Sequence, residues 1–222
     1  MQRTEPSHAL RVDGLHIRRR GGFQLSVPTF ELTAGITLLT GANGSGKSTL
    51  LEALSGLHLR CLDELAVCGL SVKQRNSRAA AFKLMGYMPQ ALVLPSRWTV
   101  REYLDYAGWL KRVSPKDAAA SARELSEKLE FSQFLSRRIG GLSGGFRRRV
   151  LVAQAMIAAP AVLLLDEPFA GLDQETSHLL RTVLISADTA PSILLTDHGR
   201  DAADIADTHL TIAGGVLEPL VV

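Results

Sequence analysis

Short apolar runs of strand length alternate with longer stretches whose apolar residues recur every three or four positions. That layout belongs to an α/β domain with a largely parallel sheet. Residues 10–17 and 23–32 predict two strands with Gly21-Gly22 as the turn between them, and 36–40 is a compact apolar strand that runs into a glycine-rich stretch. Residues 47–57 then have helical character. A strand over 85–88 follows, after which the pattern changes: 99–110 and 115–129 predict two helices, and no strand is expected between Gln90 and Gly141. The alternation resumes with a helix over 143–158, a strand over 162–165, a helix over 174–187 and a strand over 192–196. Residues 208–213, the Gly214-Gly215 turn and 216–218 predict a terminal hairpin. The expected organisation is one domain over 1–222, with an α/β core of 1–90 and 146–222 and a helical insert over 91–145.

Composition narrows the class without naming a function. With 222 residues, 46% hydrophobic and 21% charged, the chain can bury one sizeable core, which excludes disorder. Lys and Arg number 25 against 22 Asp and Glu, and a balance of +3 is too small to argue for nucleic acid. Cys61 and Cys68 fit neither a CxxC pair nor a zinc spacing and read as half-buried thiols in a reducing compartment. Apolar runs such as 161–165 stop short of the roughly 20 residues of a spanning helix, and the first seven residues are polar, so neither a membrane span nor a secretion leader is expected.

Candidate chemistry begins at Gly41-Ala42-Asn43-Gly44-Ser45-Gly46-Lys47-Ser48, which matches G-x-x-x-x-G-K-[ST] between a predicted strand and a predicted helix. The glycines permit a tight loop whose amides converge on phosphate oxygens, and the following helix adds its positive end. Lys47 reaches the β- and γ-phosphates, Ser48 offers a hydroxyl oxygen to Mg²⁺, and Thr49 is a further phosphate contact. In Val162-Leu163-Leu164-Leu165-Asp166-Glu167, four apolar residues carry Asp166 to the carboxyl end of a strand, where open α/β sheets place ligands. Asp166 is a candidate Mg²⁺ ligand through water, and Glu167 a candidate for polarising the water that attacks the γ-phosphate.

A third motif, Leu142-Ser143-Gly144-Gly145-Phe146, opens a helix 24 residues before Asp166, counted from Leu142. It resembles the LSGGQ signature of the ABC (ATP-binding cassette) superfamily. The resemblance spans residues 10–218 and implies a P-loop NTPase core with a mainly parallel sheet, an N-terminal antiparallel β region and a helical subdomain insert. It also implies a head-to-tail dimer, in which Leu142, Ser143, Gly144 and Gly145 of one subunit close on ATP held by the other's phosphate loop. Gln90, in Tyr87-Met88-Pro89-Gln90, matches the family's Q-loop glutamine, which contacts Mg²⁺ or the attacking water. Asp173, in Ala170-Gly171-Leu172-Asp173, matches the D-loop, and His198, in Thr196-Asp197-His198, the switch histidine that contacts the γ-phosphate. Arg19 takes the position of the adenine-stacking aromatic, since an arginine plane also stacks on a base.

Three positions depart from the family pattern. Phe146 replaces the signature's usual Gln, Ala170-Gly171 replaces the common Ser-Ala of the D-loop, and Arg18-Arg19-Arg20 stands where the aromatic is expected. In Arg147-Arg148-Arg149, a helix face is read: Val150, Ala153 and Ile157 face the core and leave arginines for acidic partners or solvent. Trp98, Tyr103, Tyr106 and Trp109 belong either to the insert's core or to a groove for a membrane partner.

What the resemblance implies is an ATPase that binds ATP and Mg²⁺, with Glu167, His198 and Gln90 at the reaction and Ser48, Gln90 and Asp166 at the metal. It would pair with itself or a related cassette and drive a separate integral membrane permease from the cytoplasmic face, as in small export systems with ABC-2-type permeases. The alternative is a soluble cassette ATPase of the assembly or translation-associated kind, which moves no solute.

Overall fold

The structure is a computed structural model and describes residues 8–18, 22–91, 93–186, 190–197 and 200–219. Its strands are β1 (Leu10–Arg18), β2 (Gln24–Leu32), β3 (Gly35–Gly41), β4 (Glu64–Val67), β5 (Leu70–Ser71), β6 (Met85–Met88), β7 (Val162–Asp166), β8 (Ser192–Thr196), β9 (Thr208–Ala213) and β10 (Val216–Pro219). Its helices are α1 (Lys47–Leu54), α2 (Arg78–Lys83), α3 (Val100–Leu110), α4 (Pro115–Lys128), α5 (Gly144–Met156), α6 (Gln174–Ile185) and α7 (Arg200–Ala203).

All described strands join one sheet in the order β5-β4-β1-β2-β10-β9-β3-β8-β7-β6. From β9 through β3, β8 and β7 to β6 the neighbours are parallel. Strands β1, β2, β4 and β5 form an antiparallel panel. The two parts meet at a single register pair, Val216 with Ser26, reinforced by the Ser26 amide donating to the Gly215 carbonyl at 2.8 Å. A side chain at Gly215 would put its Cβ 2.0 Å from the Gln24 carbonyl oxygen, so this junction closes only on a residue without one.

Every residue of β7 and β8 is buried, because helices cover one face and the antiparallel panel with α1 the other. The period of two is visible in where they point. Leu163, Leu165, Ile193 and Leu195 join the core shared with α5, α6 and the insert, while Val162, Leu164 and Leu194 join the core shared with α1, β1 and β2.

Between β6 and α5 the chain is helical, carrying α3 and α4. Thr99 caps α3 with a full capping box, its hydroxyl accepting from the Glu102 amide while the Glu102 carboxylate accepts from the Thr99 amide. Ser114 caps α4, which has Pro115 in its first turn. Between Gln90 and Gly141 the only bridge among the described residues is an isolated Thr99–Arg138 pair, as expected. The helix expected over 47–57 ends at Leu54, and the strand expected from Phe23 begins at Gln24. The β4–β5 hairpin and α2 were not expected: they are four, two and six residues long, too short to show a period. Cys61 and Cys68 are half-buried free thiols, and burial pushes the Cys68 thiol up.

Candidate functional site

Three segments converge at the carboxyl ends of β3, β7 and β6: the loop of residues 41–48, the Asp166-Glu167 pair and Gln90. Gly41, Gly44 and Gly46 all have positive φ, at 144°, 76° and 115°. At Gly41 a Cβ would lie 2.7 Å from both the Ile212 carbonyl oxygen and the Ser45 hydroxyl, and at Gly46 it would meet the Phe23 ring at 3.0 Å. Glycine is therefore required by crowding as well as by dihedral angle. Gly46 is also the residue before α1, so the open amides of that helix face the loop.

Lys47 is buried, and its Nζ donates to the Gly41 carbonyl at 2.8 Å and the Ala42 carbonyl at 3.2 Å. Two of its three donors hold the ammonium inside the loop, leaving one for an anion. The Ser45 hydroxyl is buried with no hydrogen-bond partner, an orphan that a polar ligand in the loop would satisfy. Ser48 is half-buried and Thr49 buried.

At the end of β7, Asp166 is buried and its Oδ1 accepts from the Thr196 hydroxyl at 2.6 Å. The same oxygen of Thr196 accepts from the Glu167 amide at 2.9 Å, so one side chain of β8 fixes both acidic residues. Glu167 has φ of 51°, unusual for a residue with a side chain, and this amide bond helps to hold it there. Its Oε2 accepts from Gln90 Nε2 at 2.8 Å, which leaves Gln90 Oε1 as that side chain's acceptor. Nearby, burial pushes the Tyr87 hydroxyl up, with Asp166 and then Glu52 adding to the shift. Ser48, Gln90 and Asp166 supply hydroxyl, amide and carboxylate oxygens, a donor set that suits a hard cation such as Mg²⁺.

Sequence reasoning missed the part played by Arg148. Where the sequence left some of these arginines for acidic partners or solvent, this side chain is half-buried, donating to the Glu167 carbonyl at 2.7 Å, the Gln90 carbonyl at 3.2 Å and the Ala170 carbonyl at 3.4 Å. Burial pushes the guanidinium down, opposed by the carboxylates of Glu167 and Asp166. Arg149 is likewise turned inward, donating to the Leu129 and Glu130 carbonyls at 3.3 Å and to the Thr176 hydroxyl at 3.1 Å. Three consecutive arginines were the available signal, but carbonyl partners leave no side-chain signature of their own.

Ser143 is the N-cap of α5, its hydroxyl accepting from the Phe146 amide at 3.4 Å, with Gly144 exposed beside it. Leu142 is buried and anchors the turn, while no atom lies within 4 Å of a Cβ built on Gly144. Phe146, the departure from the pattern, packs edge-on against Phe134 at 4.4 Å under the Arg149 guanidinium at 4.6 Å. It ties the signature helix to the insert by apolar and cation–π contact. Asp173 caps α6, accepting from the Thr176 amide at 2.7 Å, and that bond holds its carboxyl below the usual range. His198 and Arg19 lie outside the described residues.

Two cavities flank these segments. One of about 700 Å³ opens between Gln90, Gly144, Arg148 and Gly171. The other, about 490 Å³, is an apolar groove lined by Val93, Trp98, Tyr106 and Leu110 among others. Tyr103 is core, whereas Trp98, Tyr106 and Trp109 are exposed, with the Tyr106 ring in contact with both tryptophans.

A family model described as ABC transporter matches residues 25–170. The Nod factor export ATP-binding protein I of Rhizobium meliloti strain 1021 is 36% identical over 181 residues, 79% of this chain and 52% of that protein. The lipoprotein-releasing system ATP-binding protein LolD of Alcanivorax borkumensis is 28% identical over 204 residues, 90% of this chain and 88% of that one. The mouse ATP-binding cassette sub-family A member 17 is 31% identical over 177 residues, 80% of this chain and 10% of its own. The chain thus spans a tenth of the mouse protein and about half of the Rhizobium one. A solved ATP binding subunit of an ABC transporter superposes with a TM-score of 0.80 at 23% identity, covering 96% of this chain and 90% of that one, and supports the fold.

Proposed function

Because the chain belongs to the ABC transporter family, we propose that it binds and hydrolyses ATP to drive a separate membrane permease, as the cytoplasmic, peripheral subunit of an exporter. The observation that carries this reading is the convergence of Lys47, Asp166, Glu167 and Gln90 at one end of the parallel sheet, with Gln90 bonded to Glu167 at 2.8 Å. Transport out of the cell is supported by relatives named for Nod factor export and lipoprotein release. The permease is supported by the exposed aromatic groove lined by Val93, Trp98 and Tyr106. In this reading residues 1–222 are one cassette, with a core of 1–90 and 146–222 and a helical subdomain over 91–145.

The amides of Ala42, Asn43 and Gly44 and the Ser45 hydroxyl cradle the phosphates with the amides of α1's first turn, and Lys47 donates its remaining N–H to the terminal phosphates. Thr49 adds a hydroxyl. Ser48, Asp166 and Gln90 would hold Mg²⁺, which supplies charge neutralisation of the triphosphate. Glu167 orients the attacking water and receives its proton, with Gln90 keeping the carboxylate in place. A second cassette caps the nucleotide through its own Ser143, Gly144 and Gly145, whose helix start is open, and Asp173 and His198 stand on the same interface. Arg19 stacks on the base. ATP joins the two subunits, and hydrolysis removes the γ-phosphate link, so the permease is cycled between two states by population shift.

The test is Glu167→Gln. MgATP binding should persist while turnover falls by at least about a hundredfold, the scale of general acid–base catalysis, and a nucleotide-bound dimer should accumulate on size-exclusion chromatography. Rapid turnover by the variant would remove Glu167 from the reaction.

A further inference from the structure

A cavity of about 430 Å³ lies between α2 and the C-terminal end of α3, lined by five cations, Arg75, Arg78, Lys83, Lys111 and Arg112, and by no carboxylate. The clustering is already present in the sequence. Residues 65–101 hold six Lys and Arg and no Asp or Glu, so a +6 segment sits in a chain whose whole balance is +3, and the remainder is net acidic. Among the described residues, none of the five cations pairs with a carboxylate. Arg78 instead donates to the Val72 carbonyl at 2.7 Å and the Lys73 carbonyl at 2.8 Å, and Lys111 to the Phe82 carbonyl at 2.9 Å and the Met85 carbonyl at 2.6 Å. These bonds tie Arg78 and Lys111 to the wall; Lys111 is half-buried, while Arg75, Arg78, Lys83 and Arg112 are exposed. Like charges gathered round one cavity repel one another, and an anion placed among them relieves that repulsion.

Cations alone suit any phosphate. What selects among phosphates is the neighbouring surface: Leu110 and Lys111 line both this cavity and the aromatic groove, and beside them Trp109 is 69% exposed and Leu110 57% exposed. A protruding tryptophan and leucine next to a basic cluster gain nothing from a free phosphate. They are the combination that rests at headgroup level on an anionic bilayer, rings at the interface and cations on phosphate.

We propose that this cavity, with Trp109 and Leu110 at its rim, binds anionic phospholipid headgroups of the membrane surface. The phosphate is taken by Arg75, Lys83 and Arg112, with Arg78 and Lys111 behind them. The proposal rests on the permease reading above, since a bilayer comes within reach when the adjoining groove docks a membrane subunit. Lipid binding is nevertheless a property of this chain alone, so it is tested without the permease.

The full chain is mixed with vesicles of phosphatidylcholine containing one third phosphatidylglycerol, and with vesicles of phosphatidylcholine alone. Cosedimentation is expected with the anionic vesicles only, reversed by salt, with a blue shift of Trp109 emission in a Trp98→Phe background. Combined Arg75→Glu, Lys83→Glu and Arg112→Glu should weaken vesicle binding by at least about a hundredfold, from about fivefold for each of the three cations lost at such a surface with repulsion by the new carboxylates in addition, and leave ATP turnover unchanged. Equal binding to neutral vesicles, or undiminished binding by the triple variant, overturns the proposal. Inorganic polyphosphate that binds the wild type as tightly as the vesicles do, and displaces it from them, assigns the cavity to a soluble anion and also overturns it. Wild-type protein that binds anionic vesicles but hydrolyses no ATP sinks the ATPase reading and leaves the lipid site standing.

Discussion

Arg148 is the side chain on which the geometry of the reacting groups converges. Its guanidinium joins the carbonyls of Gln90, Glu167 and Ala170, so one cation ties the segment after β6 to the turn between β7 and α6. Because it touches backbone and not phosphate, Arg148→Gln should lower kcat by roughly tenfold with little change in KM, since misplacement of a reacting group costs rate more than binding. Arg148→Lys should recover part of the loss. Steady-state kinetics separates the two parameters, and a rise in KM at constant kcat would contradict the positioning role. Phosphate-loop and acidic-pair residues were legible in the sequence because each motif is contiguous and carries its chemistry in side chains. Arg148 was not, because its partners are carbonyls 19, 58 and 22 positions away. Thr196 escaped for a similar reason, being an ordinary strand threonine until the sheet sets it beside Asp166.

Helix starts are where local sequence and site meet. Ser143 and Asp173 are both N-caps, satisfying amides that would otherwise be open, and both stand in segments that face the proposed second subunit. The Asp173 cap carries a pH dependence. Its folded carboxyl is held below the unfolded value of about 3.9, chiefly by the Thr176 amide. The stabilisation is therefore fully present above that value and is lost as pH falls through the folded one. In urea melts, wild type should exceed Asp173→Asn in stability at neutral pH, and the gap should close in acid below about pH 4; a gap independent of pH would mean that charge has no part in the cap. Long, strongly patterned elements such as α3, α4, β7 and β8 were legible, with ends moved by one residue at most. The β4–β5 hairpin and α2 were not, because two to six residues at a sheet edge owe their shape to neighbours and not to their own periodicity.

For the whole molecule, the question is whether one chain completes the site. The phosphate loop and the signature are two separate helix starts, each with open amides, and in the proposed head-to-tail pair one nucleotide would use one of each from different subunits. Lys47→Ala and Ser143→Arg proteins, each inactive, should therefore regain a fraction of wild-type ATP turnover when mixed under conditions of subunit exchange. Failure to exceed either variant alone would require a site built from a single chain. Strand order was beyond sequence reading, because the return of β9 and β10 to lie between β3 and β2 is decided by long-range pairing. Its result is a plate with a crease. Among the described residues eight register pairs bind β1 to β2 and one crosses from β2 to β10, so that line is the sheet's weakest backbone seam, and the shared core of Leu25, Val27, Leu39 and Leu50 holds it shut. Phe23, which props Gly46 from below, stands on one side of the fold line and the parallel strands on the other. Any tilt of the antiparallel flap would therefore reach the glycine-rich loop through Phe23, pressing on Gly46 or leaving it slack.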